Sequence, residues 1–328
     1  MKFGIMASHQ YPFDEDLQAR LGELWGTAEH AASLGFDSIW VINHFVSNLN
    51  TPQPISMLAK LLEHTGEMTV GTGILLLPFF HPVHIAEEFA TLDQLSGGRV
   101  VLGVAAGYRE HEFEAFNVPM EERFSRLDEG VRVIRELWKG EPVTFEGKHF
   151  QLDDVRIGVR PYQDGGPPIW IGAGGKKAIR RAARLADAWY APGNSPNPTF
   201  LEKHMAVYDD ALAEYGRTDQ IVERPVGTEL YVSDTTEKAI EEALPHARRE
   251  YSTYAEYPAL RWQRDRFDEL VANTLILGDP DLVIERIKGL QAQGCNHLIF
   301  RPGWLGMPAE QVRRSLSLFA EHVMPAFR

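Results

Sequence analysis

The chain has one cysteine, Cys295, in 328 residues, so it cannot form an internal disulfide bond. This scarcity is typical of proteins from a reducing compartment, and we predict a cytoplasmic location. It also argues against a structural zinc site, because the histidines are scattered and no Cys/His cluster accompanies them. We predict no metal site.

Long apolar runs are lacking as well, so we predict no transmembrane helix. The first ten residues, "MKFGIMASHQ", are typical of a first strand rather than of a signal peptide. Basic residues are outnumbered, with 33 Lys and Arg against 46 Asp and Glu and a formal charge of −13. Such a field repels polyanions, which argues against nucleic acid or an anionic membrane as partner. The expected partner is a small-molecule substrate.

Several catalytic motifs are missing. The chain has no GxSxG elbow, which argues against a serine hydrolase. Neither the Walker spacing nor the dinucleotide spacing occurs, which argues against a P-loop nucleotidase and a Rossmann dehydrogenase.

What the chain does contain is an alternation of short β-branched runs with longer amphipathic stretches, which is typical of parallel strands joined by crossover helices. Eight such units can be counted. Their strands are predicted at residues 2–8, 38–42, 68–76, 99–105, 168–173, 187–191, 228–233 and 297–302. The helix after the seventh strand is predicted over residues 235–249. Because eight parallel strands close into a filled barrel, we predict an α/β fold, a single (β/α)8 TIM barrel domain over residues 1–328.

Three segments do not fit this repeat. Residues 107–123 follow the fourth strand, residues 251–278 follow the seventh unit, and a hairpin is predicted around Glu146 and Gly147, before the fifth strand. The loops that follow the strands carry the active sites of such barrels. We therefore predict that the first two insertions lie over the barrel mouth, with residues 251–278 as a lid.

Polar side chains follow the first two strands. His44 and Asn43 come directly after the second strand, and His9 follows the first. A histidine at such a position can accept or donate a proton near neutral pH. An isolated loop histidine more often has no role, so this pattern alone leaves the question open.

Glycines and alanines mark the ends of three other strands. Small residues let a flat ring or a phosphate approach the backbone closely, and Ala105, Ala106 and Gly107 end the fourth strand. In "GAGGKK", glycines lead directly into a predicted helix that begins at Lys176. Free N–H groups at a helix start, together with a lysine, favour anion binding.

Four stretches together resemble the bacterial luciferase-like flavin-dependent monooxygenase family. They are "LGFDSIWVINHF", "GTGILLLPFFHPVHIAEEFATLDQLSGGRVVLGVAAGY", "LDEGVRVIRELWKG" and "PPIWIGAGGKKAIRRAARLADAW". The resemblance implies a (β/α)8 barrel that binds reduced FMN or the deazaflavin coenzyme at its C-terminal mouth. It also implies a non-proline cis peptide at Gly73–Ile74 and a catalytic role for His44. The residues that it implies for cofactor binding are Gly73, Ile74, Ala105, Ala106, Gly107, Tyr108, Gly172, Gly174, Gly175 and Lys176.

On this resemblance we expect a monooxygenase that uses reduced FMN and O2, with the FMN supplied by a separate NAD(P)H:flavin reductase. Its substrate is expected to be a hydrophobic organic molecule, most simply a carbonyl compound, in a pocket formed by His9, Asn43, Phe79 and Trp304. The resemblance also suggests a homodimer.

Two alternatives remain open at this point. The first is a deazaflavin-dependent oxidoreductase that transfers hydride without O2. A basic run supports this alternative: Lys176, Lys177, Arg180 and Arg181. The second is a flavin-binding protein without turnover.

Overall fold

The computed structural model describes residues 1–195 and 197–328. The strands are β1 (Lys2–Met6), β2 (Ser38–Val41), β3 (Thr69–Thr72), β4 (Leu75–Leu76), β5 (Val100–Ala105), β6 (Val143–Glu146), β7 (Gln151–Val155), β8 (Ile169–Gly172), β9 (Ala188–Pro192), β10 (Pro225–Val232), β11 (Ile276–Gly278) and β12 (His297–Arg301). The α-helices are α1 (Leu17–Ser33), α2 (Pro54–Leu61), α3 (Pro82–Ser96), α4 (Glu110–Ala115), α5 (Arg123–Trp138), α6 (Lys176–Leu185), α7 (Phe200–Glu214), α8 (Thr236–Tyr254), α9 (Arg261–Asp265), α10 (Phe267–Asn273), α11 (Pro280–Ala292) and α12 (Ala309–Leu318).

Eight parallel strands form a closed ring, which confirms the predicted TIM barrel. In the order β1, β2, β3, β5, β8, β9, β10 and β12, each strand pairs with the next, and β12 returns to β1. Helices connect the strands and cover the barrel from outside, because the strand residues that point outward are as apolar as those that point inward. Among the helices of the described residues, none has both the length and the apolar character that a membrane span requires.

Two indole rings fill the barrel interior. Trp40 from β2 and Trp170 from β8 stack with ring centroids 4.5 Å apart. Gly71 in β3 makes room for them, since a Cβ there would lie 2.4 Å from the Trp40 ring. Met6 and Tyr190 pack against this pair.

The third predicted strand, residues 68–76, is interrupted in the structure. β3 ends at Thr72, the Gly73–Ile74 peptide is cis as the resemblance implied, and β4 resumes at Leu75. The carbonyl of Thr72 lies so close to β5 that a Cβ on Gly103 would be only 1.9 Å from its oxygen. At this point, therefore, the neighbouring strand accepts only glycine.

The segments outside the repeat differ in part from the prediction. The hairpin before the fifth barrel strand is formed by β6 and β7. After the seventh barrel strand, however, α8 continues through Tyr254, five residues beyond the predicted helix end at Arg249. The reason is that its buried stripe of Ala239, Ala243, Ala247 and Tyr251 runs on at helical spacing. The same insertion also contains α9, α10 and β11, which extends the sheet by pairing with β10.

The close approach of Thr72 to Gly103 leads to a stability prediction. We expect Gly103→Ala to lower the free energy of unfolding by about 3 kcal/mol, because the new methyl group collides with backbone. The control is Gly22→Ala in α1, where nothing lies within 4 Å of the added Cβ; it should raise stability by about 0.5 kcal/mol or more. Chemical denaturation measures both, and equal stabilities would contradict the prediction.

Candidate functional site

A cavity of about 880 Å³ opens at the carboxyl ends of the barrel strands. All ten residues predicted to bind a cofactor line it, and so do His44 and Asn43. The structure therefore brings together strand ends that are up to 133 positions apart in the sequence, from Asn43 to Lys176. Met6 and Tyr190, which pack on the indole pair, contribute to its lining.

One wall of the cavity has almost no side chains. It is built from Gly73, Ile74, Ala105, Ala106 and Gly172. Gly172 packs so closely on Ile74 that a Cβ there would lie 2.6 Å from the Ile74 Cδ1. Such a wall can accept a planar ring against the backbone.

The glycine turn at residues 172–175 continues this lining to the start of α6. A Cβ on Gly174 or Gly175 would meet nothing within 4 Å, so the backbone is open to a ligand. Gly175 caps α6 without any side-chain hydrogen bond, which leaves the first N–H groups of the helix without a side-chain acceptor. The side chains of Lys176 and Lys177 are exposed beside it. This arrangement suits a phosphate.

Two arginines of the predicted basic run do not contribute to this end. Arg180 pairs with Glu214 at 2.5 Å, and Arg181 pairs with Asp128 at 2.5 Å. Neither arginine lines the cavity. The basic end of the cavity thus consists of the two lysines, because α5 and α7 supply acids that occupy the arginines.

A histidine and a buried carboxylate form the main polar pair of the cavity. The Nδ1 atom of His44 lies 3.0 Å from Oε1 of Glu112, and the same oxygen accepts the Phe45 N–H at 2.8 Å. Glu112 is fully buried in α4, and its Oε2 has no hydrogen-bond partner among the described residues. Burial lowers the pKa of His44 below its ordinary value of 6.5, and the bond to Glu112 opposes this.

These contacts select one tautomer. A carboxylate accepts hydrogen bonds and does not donate them, so Nδ1 of the neutral His44 ring carries the hydrogen. The Nε2 atom is then the proton acceptor of the ring. Glu112 could not be identified from the sequence, because α4 contains three glutamates at alternate positions, Glu110, Glu112 and Glu114, with no signal that separates them.

A tyrosine from the second insertion joins three segments above the cavity. The Tyr257 hydroxyl donates to Oδ1 of Asn48 at 2.8 Å and accepts the Asn48 N–H at 3.0 Å. Its ring stacks on His111, with centroids 5.2 Å apart, and the Arg109 guanidinium lies 3.9 Å from the ring centroid. The segments after β2 and β5 are thus tied to residues 251–278, the predicted lid.

The four residues predicted for the substrate pocket behave differently from one another. Asn43 lines the cavity, but its amide is engaged: Oδ1 accepts the Leu76 N–H at 3.0 Å and Nδ2 donates to Gln53 at 2.9 Å. His9 is buried below the surface of the cavity, with Nδ1 at 2.9 Å from the Ala7 carbonyl oxygen.

Phe79 and Trp304 also lie outside the cavity lining. Phe79 packs in an aromatic group with Phe45, Phe113 and Phe116, because the turn after β4 directs it toward α4. Trp304 donates its Nε1–H to Glu229 at 2.7 Å and faces a smaller, neighbouring cavity.

The state of His44 can be tested without any ligand. In NMR titrations we expect its ring to titrate below pH 6.5, because burial disfavours the imidazolium. Glu112→Gln should lower the midpoint further, since the charge that favours the imidazolium is removed. The His44→Gln variant lacks this ring, so the imidazole signal missing from its spectrum is that of His44. A midpoint above 6.5 in the wild type would contradict the structure of this pair.

Comparisons with known proteins add the family context. The model of the luciferase-like monooxygenase family matches residues 1–297. A relative named F420-dependent glucose-6-phosphate dehydrogenase, from Amycolatopsis mediterranei, is 29% identical and covers 92% of this chain and 93% of its own. A protein of the same name from Nakamurella multipartita is 31% identical and covers 100% of this chain and 97% of its own.

Two solved structures have the same fold. Monooxygenase RslO1 from Streptomyces bottropensis superposes with a TM-score of 0.88 at 26% identity, and covers 100% of both chains. An F420-dependent secondary alcohol dehydrogenase, in complex with an F420–acetone adduct, superposes with a TM-score of 0.82 at 23% identity. The match covers 100% of this chain and 99% of the other. Because both kinds of enzyme have this barrel, the fold itself does not separate the two chemistries.

The expectation of an FMN-dependent monooxygenase is wrong. Relatives that match along nearly the whole chain are named F420-dependent dehydrogenases. The family resemblance was correct, but it extends to proteins of both chemistries, and the luciferase motifs do not distinguish them.

Proposed function

Because the chain belongs to the luciferase-like monooxygenase family, we propose that it is an oxidoreductase that uses the deazaflavin coenzyme F420. The reaction that we propose is hydride transfer between F420 and the carbon of an alcohol or of its carbonyl product. The names of the relatives support this choice of coenzyme. The observation that carries the chemistry is the contact of His44 with Glu112 at the cavity wall.

The cavity suits a long, anionic coenzyme. The side-chain-poor wall at Gly73, Ile74 and Ala106 suits the deazaflavin ring, and the open glycine turn suits a phosphate of its tail. Lys176 and Lys177 provide two positive charges at that end. When bound, the coenzyme would supply hydride chemistry, which none of the side chains can provide.

The residues of the chain would manage the proton. Oxidation of an alcohol releases a hydride from carbon and a proton from the hydroxyl oxygen. His44 is suited to accept this proton at Nε2, because burial keeps the ring neutral and Glu112 holds the hydrogen on Nδ1. In the reverse direction the same atom would return the proton to the carbonyl oxygen.

Coenzyme binding is the first test. We expect F420 to bind more tightly than FMN, as followed by fluorescence. Lys176→Ala and Lys177→Ala should each weaken F420 binding roughly tenfold, since a hydrogen bond to a charged group contributes about 1.5 kcal/mol or more. Lys139→Ala, on the exposed end of α5, serves as the control. Tight FMN binding with no measurable F420 binding would overturn the proposal.

Catalysis by the histidine pair is the second test. We expect His44→Ala to lower kcat by about 10² to 10⁴ with an unchanged Kd for F420, because only proton transfer is lost. Glu112→Gln should also lower kcat, since an amide can donate to Nδ1 and move the hydrogen to Nε2, and Glu112→Asp should restore part of it. In alcohol oxidation, the wild type should retain activity below pH 6.5, because the lowered pKa keeps the base unprotonated there. Full activity in His44→Ala would remove this residue from the mechanism.

A further inference from the structure

The cavity has an uneven distribution of positive charge. Among the described residues, the cations that line it are Lys176 and Lys177 at the glycine turn and Arg301 at the end of β12. The following inference rests on the proposed function, in which the coenzyme tail uses the two lysines. The charge available to a substrate is then that of Arg301 alone.

Arg301 is already neutralised by two carboxylates. Its Nη1 contacts Glu250 of α8 directly, and Oε1 of Glu229 in β10 lies 3.9 Å from the same atom. The side chains of both glutamates are only 6% exposed.

Both carboxylates are also fixed in place by other donors. Glu229 accepts the Trp304 Nε1–H at 2.7 Å, and Glu250 accepts the Leu305 N–H at 3.0 Å. Neither can turn away from Arg301 without leaving a buried donor unpaired. This group therefore carries two negative charges for one positive charge.

The part of the cavity lined by Arg301 is close to His44. Arg301 ends β12 and His44 follows β2, both of these strands pair with β1, and both residues line the cavity. A substrate whose hydroxyl group reaches His44 would therefore lie in the same cavity as Arg301 and Glu229. Glu250 lines the neighbouring cavity and acts on such a substrate through its contact with Arg301. Arg109 does not relieve this excess, because it does not line the cavity and its guanidinium is covered by the Tyr257 ring.

In the described part of the chain, the rest of the lining holds no further charged group that could bind an anion. Met6, Ile42, Leu76 and Ile299 are apolar, the Tyr108 ring lies 5.8 Å from the His44 ring, and the amide of Asn43 is already engaged. A phosphate monoester carries close to two negative charges at neutral pH. It would meet a net negative group here and no free cation, at a site of limited solvent screening.

We infer that the substrate of this enzyme is an alcohol, or its carbonyl counterpart, that carries no phosphate group, and that Glu250 excludes phosphorylated substrates by neutralising Arg301. The relatives are named for a phosphorylated sugar. This chain thus differs from them in substrate class. Removing the charge of Glu250 would leave Arg301 with one carboxylate instead of two.

The test is calorimetric binding to the protein saturated with F420, with glucose 6-phosphate and cyclohexanol as probes. We expect the wild type to bind cyclohexanol and to show no binding of glucose 6-phosphate at 10 mM. Glu250→Gln should bind glucose 6-phosphate at least tenfold more tightly than the wild type. The control is Glu241→Gln, which removes an exposed charge from the same helix and should change nothing. Glu229→Gln is a second variant of the same kind, should Glu250→Gln fail to fold.

Each outcome decides the inference. Binding of glucose 6-phosphate by the wild type at 10 mM or below overturns it. If the wild type excludes glucose 6-phosphate and neither Glu250→Gln nor Glu229→Gln binds it more tightly, the carboxylates do not have the role assigned to them.

Failure of the proposed function would be visible separately, as absence of F420 binding before any probe is added. The titrations would then use the Lys176→Ala, Lys177→Ala double variant, in which the other basic end is removed. Binding of glucose 6-phosphate to that protein would still overturn the exclusion.

Discussion

The cavity depends on how the barrel is filled below it. Trp40 and Trp170 stack inside the barrel at 4.5 Å between centroids, and glycine in the neighbouring strand β3 leaves space for them. These two large rings occupy much of the interior, and smaller side chains such as Val101, Ala188 and Ile299 complete the cluster. The strand ends above them can then be small, as at Gly73 and Ala106, without leaving an unfilled core. A side-chain-poor wall is stable here because the bulk lies one layer deeper.

The second constraint is that charges at the mouth are buried and therefore paired. His44 faces Glu112, and Arg301 faces Glu229 and Glu250. Burying a carboxylate is unfavourable unless donors satisfy it, and each of these glutamates accepts at least one other hydrogen bond. These contacts thus set the chemistry of the cavity. The pair of His44 and Glu112 orients a base, and the glutamates around Arg301 neutralise the positive charge that an anionic substrate would need.

Much of the architecture could be predicted from the local pattern. The eight βα units follow from alternation of strand and helix signals, and the glycines before Lys176 predicted the turn at which α6 begins. The errors arose where tertiary packing overrides a local signal. The predicted end of α8 at Arg249 was five residues short, because polar residues obscured a buried stripe that continues to Tyr251. The sequence placed Arg180 and Arg181 in a basic run that could bind a ligand. In the structure Arg180 instead pairs with Glu214 of α7, and Arg181 pairs with Asp128 of α5.

The sequence by itself determined the barrel, its family and the positions of the small residues at the strand ends, because periodicity and glycine placement are local properties of the chain. It also singled out His44 as a candidate, since the residue directly follows a buried strand within a stretch that resembles the family. Only the tertiary structure decided which carboxylates act on the site. Glu112 and Glu250 lie in helices, where an acid is ordinarily solvated, and Glu229 lies in the barrel strand β10. Nothing local shows that these acids face His44 or Arg301. Their role depends on distances to His44 and Arg301, which come from distant strands and become neighbours only when the barrel closes.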